Sequence, residues 1–437
     1  MSATLLTGSP PVPAVVRDLE LSEPIAAIAG TDPDGRRIAR AWLLVRLFTE
    51  PLGFAVLDLP GDGLAPEAIA AEVSARYGEA IAARTGSPDL PAGGVAVPGT
   101  APFLARRAEV LRDAPPITVV VCTRERPAAL AACLESLLAQ EYPRLRILVV
   151  DNAPDGDATR RVAAATAERG PVEYVVEPLP GLSNARNRAV AAAPGEILAW
   201  IDDDELADRY WLSEVARALA DHPEASVVSG VIVPAELRTP AQALFEQFGG
   251  HSKGRGFTPD VFSPATARRQ SPLYPLPPFA TGANMTFRPG VIESIGGFDP
   301  ALGAGTRAMG SEDTLAFTRV LLRGGTIVYQ PSAICRHFHR EDLDGLRRQM
   351  LGYGTGLTAA YTSLVLRDPR VLYGLLRLVP TALRDLRSPD SVRNAGLDDS
   401  FPPELMAANK RGLLAGPWAY LRGTLDARRM RRTPPRR

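Results

Sequence analysis

Four consecutive acidic residues stand at the end of an apolar run near the middle of the chain. The run EILAWI is followed directly by Asp202, Asp203, Asp204 and Glu205. Neighbouring carboxylates repel one another and raise each other's pKa, so a strand that ends in four of them needs a compensating positive charge. A divalent cation bridged to substrate phosphates would supply that charge, because Mg²⁺ and Mn²⁺ prefer oxygen ligands. A solvated acidic helix start is the alternative interpretation.

Polar side chains also follow two earlier apolar runs. Thr123, Arg124 and Glu125 come after ITVVVC, and Asp151 and Asn152 end the run RILVVDN. Taken singly, such residues are usually turn formers or helix caps. Taken together, they predict one polar edge at which a carboxylate and a hydroxyl could hold the base and ribose of a nucleoside.

The second half of the chain offers two further candidate groups. The segment SEDTLAFTRVLLRGG opens a predicted helix with Glu312 and Asp313, where acids are also favoured by the helix dipole. His337 and His339 are two apart and would share one face of an extended segment. Imidazole is a common transition-metal ligand, but an isolated pair of histidines is a weak signal for zinc.

Alternating strands and helices must position these groups. Continuous apolar runs predict strands buried on both faces, and Leu130, Cys133, Leu134, Leu137 and Leu138 form the stripe of an amphipathic helix. Repetition of this alternation predicts βαβ units in an α/β fold with a doubly wound sheet. Ligands of such sheets bind beyond the carboxyl ends of the strands, where the polar residues above lie.

Composition excludes several classes of protein. The 437 residues carry 49 basic and 49 acidic side chains, so no bulk charge directs the chain to nucleic acid. Three cysteines are too few for a disulfide scaffold or a four-cysteine zinc site. We identify no signal peptide and no apolar run of the roughly 20 residues needed to span a membrane, and therefore expect a cytoplasmic protein.

The ordered motifs resemble those of family 2 glycosyltransferases with the GT-A fold. The resemblance runs from about residue 117 to residue 339, through VVVCTRERPAALAACLESLLAQEYPRLRILVVDN, GLSNARNRAV, IDDDE, TGANMTFR, GGFDPALG, SEDTLAFTRVLLRGG and HFH. Each motif is loose, but the set in this order is specific. The resemblance implies a nucleotide-diphosphate sugar donor, a divalent cation (Mn²⁺ or Mg²⁺), and inversion at the anomeric carbon.

The resemblance also assigns roles to residues of this chain. The nucleotide-sugar site would comprise Thr123, Arg124, Glu125, Asp151, Asn152, Arg186, Asp202 and Asp203. The metal would be held by Asp204, Asp202 and His337, with the register among the three aspartates open by one and His339 as the alternative histidine. Asp313 would be the general base, beside Glu312. The acceptor side would include Gly282, Ala283 and Asn284.

Six segments are predicted along the chain. They are a disordered tail (1–30), a small N-terminal α+β module of a hairpin and a helix (31–85), a linker (86–116), the GT-A domain with a mixed sheet (117–340), a helical C-terminal extension (341–425) and a basic tail (426–437). Amphipathic helices and terminal arginines in the last two segments could contact the anionic inner leaflet of a membrane. Nucleic acid is not an expected partner, because no aromatic residues interleave the terminal arginines.

Processive synthases of this family carry an Arg-Trp pair that is missing from RRQMLGYGTGLTAAY, so we expect transfer of one or a few sugars to an acceptor that is a glycan, a lipid-linked glycan or a small molecule.

Two alternatives to a transferase remain open. A non-catalytic nucleotide-sugar-binding scaffold would have lost the acidic positions, which are all filled here. A sugar-phosphate nucleotidyltransferase would need a glycine-rich segment where this chain has VCTRERPAAL.

Overall fold

The computed structural model describes residues 12–97, 99–251, 254–266, 270–274, 276, 278–388, 390–392, 394, 396–397 and 400–432. Within these ranges the chain forms a three-stranded sheet near the N-terminus and a nine-stranded mixed sheet, followed by long helices. The predicted α/β fold with a mixed sheet, an N-terminal α+β module and a helical C-terminal extension is confirmed.

The N-terminal module contains three strands and one helix. They are β1 (Ala14–Glu20), β2 (Arg40–Leu47), β3 (Glu50–Asp58) and α1 (Pro66–Thr85). Strand β2 pairs with β3 as an antiparallel hairpin and with β1 in parallel. The apolar faces of the sheet and of α1 form a separate small core.

The predicted disordered tail is wrong for the part of it that the structure describes from β1 onwards. Leu19, Leu21 and Ile25 are at most 5% exposed, because β1 completes the sheet and the following turn packs under it. Neighbouring prolines and alanines concealed this strand in the sequence. Residues 1–11 of the predicted tail lie outside the described residues.

The predicted linker likewise contains an ordered helix, α2 (Pro102–Arg112). Arg107 in this helix is 5% exposed, and its Nε lies 2.8 Å from Oε1 of Glu214. A flexible linker would leave such a charge in water, so α2 is docked on the main domain through a buried ion pair.

Nine strands make up the main sheet. They are β4 (Ile117–Thr123), β5 (Leu145–Asn152), β6 (Val172–Glu177), β7 (Ile197–Asp202), β8 (Glu205–Ala207), β9 (Ala225–Pro234), β10 (Asp260–Phe262), β11 (Asn284–Phe287) and β12 (Thr326–His337). The order is β10-β12-β9-β11-β7-β4-β5-β6, and β8 pairs with β12. Strand β11 is antiparallel to both neighbours, which makes the sheet mixed.

Helices cover both faces of this sheet. They are α3 (Pro127–Leu138), α4 (Ala158–Ala167), α5 (Leu182–Ala192), α6 (Trp211–Asp221), α7 (Pro240–Gln247), α8 (Val291–Ile295) and α9 (Glu312–Leu322). Two large apolar cores result, one on each face, and β4 contributes alternate residues to both. Burial on both faces explains why β4 reads as a continuous apolar run.

Three helices follow the sheet: α10 (Leu343–Arg367), α11 (Val371–Arg387) and α12 (Pro403–Arg432). Helix α12 packs along α10, with Gly354, Gly412 and Gly416 in close backbone approach. The predicted basic tail from residue 426 is helical as far as Arg432, and residues 433–437 lie outside the described part. No helix in the described ranges is long and apolar enough to cross a membrane.

Candidate functional site

The ends of β4 and β7 meet at a hydrogen-bonded group of polar side chains. The hydroxyl of Thr123 donates to Oδ2 of Asp203 at 2.7 Å, and both residues are buried. Arg126 bridges two acids, with Nη1 2.5 Å from Oδ1 of Asp203 and Nη2 2.8 Å from Oδ2 of Asp204. Asp203 and Thr123 are therefore fully engaged with protein groups and hold the loop that carries Asp202 and Asp204.

Arg126 was not among the residues predicted for the site. It lies only two residues beyond Arg124, at a strand end where the sequence already indicated polar groups. Its short distances to Asp203 and Asp204, rather than any sequence motif, identify it as the cation that partly neutralises this acidic loop.

A second group joins the two halves of the domain. Arg186 is 1% exposed, with Nη1 2.8 Å from Oε1 of Glu312 and Nη2 2.9 Å from the carbonyl oxygen of Gly282. Nη2 also lies 3.6 Å from Oδ1 of Asp202. Arg186, from the first half of the domain, therefore lies between an acid of the same half, Asp202, and an acid of the second half, Glu312.

Asp313 follows Glu312 at the N-terminus of α9 and faces the same point. Its Oδ2 accepts a hydrogen bond from the backbone N–H of Gly282 at 2.7 Å, and its Oδ1 accepts one from Thr314 N–H at 2.6 Å. A Cβ added at Gly282 would come within 3.0 Å of both Asp313 and Arg186, so a side chain there would displace the carboxylate. The Thr314 hydroxyl also donates to Oδ1 at 3.3 Å, so the carboxylate is fixed and Oδ2 keeps a second lone pair.

These groups form the polar end of one cavity of about 340 Å³. The polar end comprises Arg186, Asp202, Gly282, Glu312 and Asp313. The remaining wall is largely apolar and comes from Phe248, Phe279, Met309, Leu357 and Leu413. Helices α10 and α12 close it, so the C-terminal extension is part of the site.

Burial disfavours the charged form of the carboxyl groups in the acidic loop. Burial, together with the neighbouring acids, raises the pKa of Asp202 and, more strongly, that of Glu205. Burial also raises the pKa of Asp203 to about 7, although Arg126 and the Thr123 hydroxyl oppose the shift. For Glu312, burial outweighs the Arg186 charge, and its pKa is raised as well.

The structure places Asp151 and Asn152 at the end of β5, beside the acidic loop. Asp151 is fully buried and accepts a hydrogen bond from the hydroxyl of Tyr174 at 2.7 Å, while its Oδ1 has no hydrogen-bond partner. Asn152 uses its carboxamide on the backbone of Leu179 and Gly181. Asp151 is thus the residue of this pair with an acceptor left over for a ligand.

Arg124 and Glu125 occupy the turn after β4. Arg124 is exposed, whereas Glu125 has a φ of 53° and its Oε1 accepts a hydrogen bond from the backbone N–H of Asp155 at 2.9 Å. A left-handed conformation at a non-glycine residue is uncommon and marks a constrained turn. Glu125 therefore ties this turn to the loop after β5, and Arg124 remains open to solvent.

Of the three residues expected on the acceptor side, Gly282 and Ala283 line this cavity and Asn284 does not. The carboxamide of Asn284 is 1% exposed and bonds to Trp211 Nε1, to the carbonyl of Val231 and to the carbonyl of Ala333. The prediction for Asn284 is wrong, because its side chain lies on the opposite face of β11 and bridges strands.

The histidines at the end of β12 lie close to the acidic loop. His337 Nε2 is 3.7 Å from Asp204 Oδ1, and both side chains are less than a tenth exposed. His251 reaches this place from the loop after α7, within 4.8 Å of both β12 histidines when nitrogen atoms are compared. The sequence offered no signal for His251, since its loop has no pattern.

The side chains present fit a divalent cation. Oδ2 of Asp204 is paired with Arg126, which leaves Oδ1 towards His337, and carboxylates with one imidazole suit Mn²⁺. Oε1 of Glu205, in the same loop, is buried without a hydrogen-bond partner, so one more carboxyl oxygen here lacks a protein donor. Burial and the adjacent histidines lower the pKa of His337 well below its usual value, which keeps a nitrogen lone pair available.

Comparison with known proteins identifies a recurrent domain. The family model described as glycosyl transferase family 2 matches residues 118–296. A glucosyl-dolichyl phosphate glucuronosyltransferase of Haloferax volcanii is 24% identical over 51% of this chain and 68% of its own length. The succinoglycan biosynthesis protein ExoM of Rhizobium meliloti is 30% identical over 50% and 65%.

Two further similarities extend this set. A pre-mycofactocin glycosyltransferase of Mycobacterium tuberculosis is 26% identical over 59% of this chain and 50% of its own length. The solved structure of the mannosyltransferase PcManGT from Pyrobaculum calidifontis, in complex with GDP-Man and Mn²⁺, covers 85% of this chain at 20% identity with a TM-score of 0.42. The chain matches between half and about two thirds of the length of these curated relatives.

Proposed function

We propose that this chain, whose residues 118–296 match the glycosyl transferase family 2 model, transfers a sugar from a nucleotide-diphosphate sugar to an acceptor hydroxyl, with inversion and without processive synthesis. The observation that carries this proposal is that Asp313 and Asp202 line one cavity together with Arg186, whose Nη2 lies 3.6 Å from Oδ1 of Asp202. Asp202 comes from the first half of the domain and Asp313 from the second. This fits in-line displacement, in which the base and the leaving group lie on opposite faces of the sugar.

The nucleoside end of the donor would bind at the ends of β4 and β5. Asp151 has a buried acceptor oxygen without a hydrogen-bond partner, and a nucleobase or ribose can donate to it. Arg124 at the neighbouring turn is exposed and can approach the nucleotide. Thr123 and Asp203 support this surface from beneath through their mutual hydrogen bond.

The diphosphate would lie over the acidic loop, where Asp202, Asp204 and His337 would hold the divalent cation. When bound, that cation supplies Lewis-acid stabilisation of the charge that grows on the leaving diphosphate. Arg340, half exposed with Nη2 3.9 Å from Asp204 Oδ2, adds a positive charge at this edge. Nη1 and Nη2 of Arg186 bind Glu312 and Gly282, so its contribution is to position these groups and to carry fixed positive charge.

Asp313 would act as the general base. An acceptor hydroxyl is a poor nucleophile until a carboxylate within hydrogen-bond reach takes its proton. The two backbone donors hold the Asp313 carboxylate towards the cavity, and Gly282 leaves the space in front of it free. Attack from this side, opposite the diphosphate, inverts the anomeric configuration in a single displacement.

Helices α11 and α12 each carry an exposed apolar stripe, and we infer that both contact an anionic membrane surface. Leu372, Leu376, Val379 and Leu383 in α11 are 44–59% exposed, and Leu414, Trp418, Leu421 and Leu425 in α12 are 43–85% exposed. The two sets share the same helical spacing, and arginines flank both. Such a location, on the cytoplasmic face, suits a lipid-linked acceptor.

Donor hydrolysis tests the proposed reaction. The full chain is incubated with Mn²⁺ and a panel of UDP-, GDP- and dTDP-sugars, and released nucleoside diphosphate is measured. We expect release from one donor, lost in Asp204→Asn and retained in Asp344→Asn, whose side chain is 79% exposed on α10. Nucleotide binding with no turnover on any donor or acceptor would instead support the scaffold alternative.

Vesicle flotation tests the membrane contact separately. We expect binding to vesicles containing anionic phospholipid and not to neutral phosphatidylcholine vesicles, with loss in Leu376→Glu and Leu421→Glu. Leu366→Glu is the matched control, because Leu366 is 62% exposed on α10 outside both stripes. Equal binding of all variants would refute the contact.

A further inference from the structure

Three of the four histidines of this chain converge beside the acidic loop. His337 and His339 come from the end of β12 and its extension, and His251 from the loop after α7. His337 and His339 are 6% and 4% exposed, so their ring nitrogens depend on protein partners. The ring nitrogens of His337 and His339 form a continuous chain of contacts between two carboxylates, those of Asp204 and Glu246.

The chain of contacts has three links. Nε2 of His337 faces Oδ1 of Asp204 at 3.7 Å. Nδ1 of the same ring lies 2.9 Å from Nδ1 of His339. Nε2 of His339 lies 2.7 Å from Oε1 of Glu246, in α7.

The chemistry of these groups fixes where the protons lie. A carboxylate only accepts hydrogen bonds, so Nε2 of His339 carries the proton that is donated to Glu246. In a neutral ring, Nδ1 of His339 is then an acceptor, and Nδ1 of His337 must be the donor across 2.9 Å. Nε2 of His337 therefore has its lone pair directed towards Asp204, which is the state that a metal ligand needs.

Packing holds both rings in this arrangement. Phe245 packs edge-on against His339 with ring centroids 4.7 Å apart, and His251 packs against His337 at the same distance. Helix α7 is itself fixed at its start by a capping box of Thr239 and Gln242. Glu246 thus approaches His339 from a rigid element.

A separate ion held by the three histidines is the rival interpretation. Two nitrogens bound to one tetrahedral zinc ion at about 2.1 Å stand about 3.4 Å apart. The 2.9 Å between the Nδ1 atoms of His337 and His339 is shorter and matches a hydrogen bond. The separation therefore favours a proton, rather than a metal ion, between the two rings.

We propose that His339 and Glu246 are positioning residues which hold His337 in the tautomer that presents Nε2 to the divalent cation shared with Asp204. This inference rests on the proposed function, since it gives His337 a partner in the donor's metal site. Residues that orient a metal-bound histidine typically change metal affinity by about 10- to 100-fold when replaced.

Binding of Mn²⁺ alone to the full chain, followed by the electron paramagnetic resonance signal of the free ion, tests the proposal without activity. We expect about 10- to 100-fold weaker binding in His339→Phe, which keeps a ring against Phe245, and in Glu246→Leu. Glu246→Gln keeps an oxygen acceptor and should restore part of the affinity. His222→Phe, which alters the half-buried histidine outside the cluster, should bind like the wild type.

Nitrogen-15 spectra of histidine side chains give a second readout. With four histidines in the chain, each ring can be assigned from single variants. We expect His337 to carry its proton on Nδ1 and His339 on Nε2, in wild type and in Asp204→Asn. A proton on Nε2 of His337, or tight binding of one Zn²⁺ per chain in Asp204→Asn that His251→Ala abolishes, would overturn the proposal in favour of a three-histidine ion.

The outcomes separate this inference from the proposed function. Mn²⁺ binding that depends on Asp204 but is unchanged in His339→Phe and Glu246→Leu would overturn the positioning role and leave the metal site standing. Absence of Mn²⁺ binding to the wild type, with and without nucleoside diphosphate, would overturn the proposed metal site and the positioning role together.

Discussion

Arg186 and Glu312 form a buried ion pair across the two halves of the main domain, with Nη1 and Oε1 2.8 Å apart and the two side chains 2% and 6% exposed. Helix α5 supplies the cation and α9 supplies the acid. Because Asp313 is the next residue after Glu312, this pair sets where the proposed base stands relative to the acidic loop. Stability and chemistry are therefore coupled at this contact.

Removal of one partner of this pair should be strongly destabilising. Arg186→Met leaves Glu312 buried without its cation, and we expect the free energy of unfolding to fall by about 3–5 kcal/mol in urea titrations. The double variant Arg186→Met/Glu312→Leu should recover part of that loss. Arg161→Met, in an exposed pair with Asp157, should change stability by less than about 1 kcal/mol. A double variant no better than Arg186→Met would contradict this account.

Asp313→Asn should separate chemistry from binding. An amide cannot take the proton of the acceptor hydroxyl, so turnover should fall by about 10²- to 10⁴-fold. Mn²⁺ and nucleoside diphosphate affinities, measured by titration calorimetry, should remain close to those of the wild type. Turnover that survives the substitution would assign the base to another group.

Adjacent arginines in α2 provide a matched test of the docked helix. Arg107→Leu breaks a buried pair with Glu214, which keeps its second partner Arg217, and should cost about 1.5–3 kcal/mol of unfolding free energy. Arg106→Leu, whose side chain is 39% exposed, should cost about 1 kcal/mol or less. Equal and small effects of both substitutions would show that α2 behaves as the flexible linker that its composition suggests.

Asp203 should make stability depend on pH in the absence of metal. Burial raises its pKa from 3.8 to about 7, so between about pH 4 and 7 the folded state retains a proton that the unfolded state has lost. The stability that this proton contributes is therefore present at low pH and is lost as the pH rises towards 7. Without EDTA, a bound cation would mask the effect.

The measurement compares the wild type with Asp203→Asn by urea unfolding at pH 5 and pH 7.5 in EDTA. Relative to the variant, the wild type should lose about 1–3 kcal/mol across this interval, given roughly 1.4 kcal/mol for each pKa unit. A gain in relative stability with rising pH would have the wrong sign and would contradict burial as the cause of the shift.

Several parts of the fold could be predicted because local physics determines them. The run ITVVVC is apolar except for Thr118 since β4 is buried on both faces, and the stripe from Leu130 to Leu138 follows the helical period of α3. Strand β1 was missed because a strand that is mostly half-buried among prolines has little pattern of its own. Helix α2 was missed because its buried Arg107 depends on Glu214, more than a hundred residues away.

The candidate site divides in the same way. Polar residues at strand ends could be found from the sequence, since parallel strands bring their carboxyl ends to one edge. The sequence could not predict which of those residues face a ligand. Asp203, Asn152 and Asn284 use their polar atoms in hydrogen bonds to residues that come near only when the chain folds. His251 and Glu246 were invisible for the same reason.

The sequence by itself determined the alternation of strands and helices, the acidic loop after β7 and the acid pair that opens α9, because each is encoded by neighbours within a few residues. The tertiary structure alone decided that Arg186 binds Glu312, that Asp313 faces Gly282, and that His337 lies between Asp204 and His339. Those contacts join residues far apart in the chain, and their geometry depends on how the helices pack on the sheet.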